Sequence, residues 1–134
     1  MMAAIIEVRG LVKRFDRLTA VDHISFEVPE GVIFGFLGPN GAGKTTTIKM
    51  LTTVLTPSEG LLRVAGHDPV TEPLLVRRAF GIVFQDQSLD GELTAAENME
   101  LHCVLYRVPR AERRARVEAL LRFVGLWEDR KSVV

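Results

Sequence analysis

One cysteine in 134 residues, no surplus of either charge and no long apolar run set the first limits on this chain. A lone Cys103 closes no disulfide within the chain and builds no thiolate cluster, the usage expected of a reducing compartment. Its neighbours Leu101, Val104 and Leu105 mark it as a small buried hydrophobe rather than a nucleophile. Seventeen basic residues against seventeen acidic ones leave no net field to draw in DNA, RNA or anionic lipid. No apolar stretch approaches the roughly 20 residues that cross a bilayer as a helix. Residues 1–7 have neither the basic region nor the apolar core of a secretion signal. No internal repeat or low-complexity segment is visible. What remains is about one domain's length of chain with 47% hydrophobic residues, enough to bury a core.

Against that background one motif stands out. Gly38-Pro39-Asn40-Gly41-Ala42-Gly43-Lys44-Thr45 fits the phosphate-loop template G-x-x-x-x-G-K-[ST] at every fixed position. An apolar run, Val32 to Leu37, precedes it as a predicted strand, and Thr45 to Leu55 follows as a predicted helix. Glycines let the backbone turn tightly and aim successive N–H groups at an anion. The helix N-terminus adds partial positive charge, and Lys44 carries an ammonium to the terminal phosphates. Thr45 offers a hydroxyl oxygen to Mg²⁺, a hard cation that takes oxygen ligands. The competing reading, a glycine-rich turn with a solvated lysine, has to explain four fixed positions by chance.

The rest of the chain alternates strand and helix signals. Ile6 to Arg9 and Ile24 to Val28 alternate in the strand manner, with shorter strands predicted at Val12 to Phe15 and Thr19 to Val21 about a turn at Asp16-Arg17. Pro57 to Gly60 reads as a turn before a strand at Leu61 to Ala65, and Pro73 to Arg78 as a short helix. Phe80 to Phe84 fits a buried parallel strand. Thr94-Ala95-Ala96-Glu97 has capping-box spacing and opens a helix to about Val108, which Pro109 stops. Arg110 to Val124 is predicted as a second helix with Val117, Leu120, Leu121 and Val124 on its apolar side. Arg110, Arg113, Arg114 and Arg116 are interleaved with Glu112 and Glu118, so they read as a solvated face rather than a nucleic-acid patch. His23, His67 and His102 are isolated and read as structural or turn residues.

The stretches GPNGAGKTTT (38–47) and VDHISF (21–26), with Phe84-Gln85, Leu93-Thr94 and Glu97-Asn98 in the same order, resemble an ABC-transporter ATP-binding subunit of the bacterial drug-export type. The resemblance runs from Ile5 to Lys131. It implies an α/β fold: a P-loop NTPase-like core with an N-terminal antiparallel β-subdomain and the start of a helical subdomain, left incomplete. It divides residues 1–134 into a sheet region (5–37), the phosphate loop and helix (38–55), a glutamine-loop region (80–92) and a helical segment (94–131). It implies ATP and Mg²⁺ as ligands, bound by Gly38, Asn40, Gly41, Ala42, Gly43, Lys44, Thr45 and Thr46. Phe15 matches the aromatic that stacks on adenine, with a strand-core ring as the alternative. Gln85 matches the glutamine whose amide oxygen reaches Mg²⁺ and the attacking water, so the catalytic candidates are Lys44 and Gln85 and the metal candidates Thr45 and Gln85.

The resemblance also implies partners: a transmembrane permease, a second ATP-binding subunit, and a cytoplasmic place at the inner face of the membrane through the permease. No nucleic acid is expected. The family's LSGGQ signature, Walker B acid and switch histidine have no counterpart in residues 1–134, which reads as the N-terminal half of an ATPase domain. Little or no hydrolysis by this chain alone is therefore expected, and a nucleotide-holding module without turnover stays open beside the transport reading. A guanine-specific phosphate-loop protein would need an Asn-Lys-x-Asp reader, which the sequence lacks.

Overall fold

The computed structural model describes residues 4–83 and 89–133. The chain divides into two compact units, Met1–Ile82 and Val83–Val134.

The first unit is built on a hairpin. Strands β1 (Ala4–Phe15) and β2 (Leu18–Pro29) run antiparallel about a two-residue turn at Asp16-Arg17, merging the shorter strands that the sequence suggests. Strand β3 (Glu59–Val64) pairs antiparallel with the other side of β1, giving the order β2-β1-β3. Glu59 and Gly60, expected in a turn, belong to this strand. Strict alternation would send Val8 and Leu11 to opposite faces of β1. Both are buried in one cluster, because a bulge intervenes: Val8 pairs with Phe26 but Leu11 with Ile24, three steps against two. Gly10 sits inside the bulge at φ 54°, its N–H donating to Ser25 Oγ at 2.8 Å. Gly60 backs directly onto it, where an added Cβ would lie 2.5 Å from the Gly10 carbonyl oxygen.

Helix α1 (Lys44–Leu51) lays Met50 against Val8, Leu11, Val21 and Leu62. Each such side chain contributes about 1.5–3 kcal/mol on full burial. The short helix α2 (Pro73–Arg78) follows and buries Val76. The run 32–37 forms no strand, contrary to the sequence expectation. Phe34 and Phe36 pack on Phe26 of β2 at 5.7 and 5.4 Å between ring centroids, while Ile33 and Leu37 are fully exposed. The run thus has the two-faced pattern of a central strand, but no described residue supplies a neighbouring ladder. Residues 80–83 are likewise irregular, and Phe84 lies outside the described residues.

The second unit is a helix pair. Thr94 caps α3 (Ala95–Leu105) in a full capping box: Glu97 N–H donates to Thr94 Oγ1, and Thr94 N–H to Glu97 Oε2 at 2.8 Å. The Thr94 hydroxyl and backbone N–H together hold the Glu97 carboxyl below the usual carboxylate range. The helix ends at Leu105, three residues short of the expected boundary, with Arg107 in the left-handed region. Helix α4 (Arg110–Phe123) buries Val117 and Leu121 with Cys103 and Val108; Leu120 and Val124, expected on the same face, stay exposed. After Gly125 (φ 73°) the chain folds back, and the carbonyls of Arg130 and Ser132 accept the Ala96 and Ala95 N–H groups at 3.0 and 3.2 Å.

Candidate functional site

The phosphate-loop segment makes one tight turn before the helix begins. The Ala42 N–H donates to the Pro39 carbonyl at 3.2 Å, with Asn40 and Gly41 at the corner and Gly41 at φ 84°. Gly43 is the N-cap of α1 at φ 83°. It needs to be glycine for a second reason: an added Cβ would lie 2.4 Å from the Ala20 carbonyl oxygen and 3.1 Å from Val21 Cγ2. The loop is thus seated on the backbone of β2. Gly38 has no such constraint, since a Cβ there meets Ala42 Cβ only at 3.4 Å.

The start of α1 is bare. No side chain caps it and its first turn contains no acid, so its leading N–H groups keep the positive end of the helix uncompensated. Thr45 is exposed and Thr46 half-buried on that first turn, whereas Thr47 is buried and its hydroxyl donates back to the Gly43 carbonyl at 2.9 Å. The Lys44 ammonium folds over the loop and donates to the carbonyls of Gly38 and Pro39 at 2.5 and 2.6 Å. An anion with stronger acceptor oxygens competes well for those donors, because charge-assisted hydrogen bonds are about twice as strong as neutral ones.

Phe15 closes β1 opposite Leu18 and is 42% exposed, outside the buried core. The Lys13 ammonium lies 5.0 Å from its ring centroid. Lys13 pairs with Val21, one of the two residues that Gly43 approaches, so Phe15 lies two residues along β1 from the position opposite the seat of the loop. Gln85 lies outside the described residues. His67 belongs to a turn in which Asp68 accepts the Val70 N–H and Glu72 the Asp68 N–H, as expected of a turn residue.

The profile of the ABC transporter family matches residues 21–134, and the chain belongs to that family. A daunorubicin/doxorubicin resistance ATP-binding protein of Streptomyces peucetius is 44% identical over 96% of this chain and 39% of its own. A Nod factor export ATP-binding protein of Ralstonia nicotianae is 40% identical over 97% of this chain and 40% of its own. A solved structure, cbiO1 of Clostridium perfringens, part of the ABC transporter complex cbiONQ, superposes with a TM-score of 0.82 at 25% identity. It covers 96% of this chain and 53% of that one. The chain therefore spans about two-fifths of the length of these curated relatives and has the fold of part of an ABC ATPase subunit.

Two residues escaped the sequence reading. Ala20 lies in the strand predicted at Thr19 to Val21, but nothing in the sequence assigned its carbonyl the part of seating the loop. Asn98, 3% exposed, ties down the segment entering α3: its Oδ1 accepts the Asp90 N–H at 2.9 Å. Its amide donates to the carbonyls of Asp90, Leu93 and Thr94. The sequence offered it only as part of the Glu97-Asn98 pair that carries the resemblance, with no structural role.

Proposed function

We propose that the chain holds MgATP for an ABC transporter of the exporting kind. The observation that carries this reading is the uncapped, acid-free start of α1 behind a loop whose lysine rests on the loop's own carbonyls. Such a terminus is an anion site by construction, and the template residues around it select a polyphosphate. In this reading Gly38, Asn40, Gly41, Ala42 and Gly43 wrap the phosphates with backbone N–H groups. Lys44 carries positive charge to the terminal phosphate, Thr45 and Thr46 bind through the helix start, and Phe15 stacks on adenine.

The exposed Thr45 hydroxyl fits a hard cation, and with Gln85 it would hold Mg²⁺, which when bound neutralises charge on the phosphate oxygens. Binding here is positioning and charge compensation, the terms that dominate phosphoryl transfer. The sequence of residues 1–134 holds no counterpart of the family's Walker B acid or general-base glutamate, so little or no hydrolysis by these residues alone is part of this reading. The drug and Nod factor export relatives favour an exporter, working with a transmembrane permease at the cytoplasmic face and a second ATP-binding subunit.

Calorimetry tests the reading. MgATP binds the wild-type chain, Lys44→Ala abolishes binding, and Phe15→Ala weakens it by roughly 1–3 kcal/mol through lost stacking. Equal affinity for wild type and Lys44→Ala overturns the assignment, and an unchanged Phe15→Ala removes the ring from the site.

A further inference from the structure

Helices α3 and α4 and the returning tail line a half-open pocket of about 440 Å³, within the size range of small-molecule pockets. Arg110, Arg113, Arg114 and Arg130 line it, with Glu100 the one acid among the lining residues. Ala96, Val117 and Trp127 supply the apolar part. Positions 110, 113 and 114 lie on one face of α4, three and four residues apart, where like charges repel. The described residues make no ion pair with any of the four arginines. The fold nevertheless fixes two of them. Arg113 Nε donates to the Val108 carbonyl at 2.8 Å, and Arg130 donates to the Trp127 carbonyl at 2.9 Å with its guanidinium 4.4 Å from the indole centroid. Arg110 and Arg114 are exposed, as a solvated helix face requires, yet all four arginines line one hollow with an aromatic side.

We propose that this cavity binds a small organic anion: a carboxylate or phosphate monoester carried on an apolar body about the size of one ring. Guanidinium forks suit the planar or tetrahedral oxyanion, and the uncompensated positive charge favours it over a neutral or cationic molecule. Val117 and Trp127 accept the apolar body, which a bare inorganic anion does not exploit. The site is separate in residues from the phosphate loop and does not rest on the nucleotide reading.

Trp127 is the chain's one tryptophan, so its emission reports on this cavity directly. Titrating the full chain with phenyl phosphate should give a saturable change in that emission. Inorganic phosphate and benzyl alcohol should each bind at least tenfold more weakly. The response should weaken as salt rises past the roughly 0.1 M at which exposed charges are screened beyond about 10 Å. Arg110→Gln with Arg114→Gln should weaken phenyl phosphate binding at least tenfold, and the exposed Arg114→Gln alone severalfold, with the circular dichroism spectrum unchanged. Lys44→Ala should leave the response intact. A linear, unsaturable change, equal affinity for benzyl alcohol, indifference to Arg114→Gln, or loss of the signal in Lys44→Ala would each overturn the proposal.

Discussion

Gly41 and Gly43 share a backbone conformation, φ 84° and 83°, but differ in the space around them. Nothing lies within 4 Å of a Cβ built on Gly41, whereas one on Gly43 meets the Ala20 carbonyl oxygen at 2.4 Å. Substituting alanine at each therefore separates two costs. Gly41→Ala carries only the left-handed penalty, about 1–2 kcal/mol per residue. Gly43→Ala carries that penalty plus a clash with backbone, which cannot rotate away as a side chain would. Reaching even 3.0 Å demands that the β2 chain or the loop move by about 0.6 Å, the difference from 2.4 Å. Overpacking of this kind costs about 1–3 kcal/mol, so Gly43→Ala should lose about 2–5 kcal/mol in all. Against a total stability of about 5–15 kcal/mol that is a large fraction. Amide exchange in β1, β2 and β3 reads the loss in the first unit, while Trp127 emission reports the second unit as an internal control. Equal destabilisation by the two substitutions would refute the reasoning, since it would mean that the loop is not seated on β2.

Gly38→Ala, which meets only ordinary contacts, should leave exchange in the sheet unchanged and weaken MgATP binding in calorimetry; a loss of stability instead would assign Gly38 to the fold. Asn98→Ala removes both sides of a buried amide network and should cost about 2–3 kcal/mol in urea unfolding followed by Trp127 emission. Asn98→Asp should be worse above the carboxylate range than in acid, because its charge faces three carbonyl oxygens. For Glu97 the folded value is depressed by Thr94, so its contribution to α3 is present above the unfolded value of about 4.3 and is lost as pH falls through the folded value. The stability difference between wild type and Glu97→Gln should accordingly shrink in acid, and a difference constant with pH would count against the capping box.

The parts of this molecule legible in its sequence are those written in local chemistry. The Asp16-Arg17 turn, the Thr94 to Glu97 capping box and the buried Cys103 each depend on residues close in the chain, and each is found as expected. What failed depends on partners far away. Val32 to Leu37 has every residue type of a core strand yet forms none, because strand identity belongs to the ladder and not to the segment. Gly60 reads as a turn residue, and only its approach to Gly10 across 50 positions shows the two glycines to be two sides of one bulge. Arg110 and Arg114 are exposed as the polar face read from the sequence requires, but periodicity does not reveal that the returning tail brings Arg130 and Trp127 to the same hollow.

The unladdered run 32–37 has a colloidal consequence. It is six residues without charge or proline, with Ile33 and Leu37 fully open to solvent, the composition from which cross-β contacts between chains are nucleated. Charges elsewhere usually keep such molecules apart, but 17 positive and 17 negative groups cancel at pH 7. At neutral pH the chain thus meets its neighbours with little long-range repulsion and an exposed apolar segment. Concentrated solutions should stay clear longer in buffer well above the sequence pI of about 6.8, where net negative charge appears, and light scattering against pH would trace the minimum.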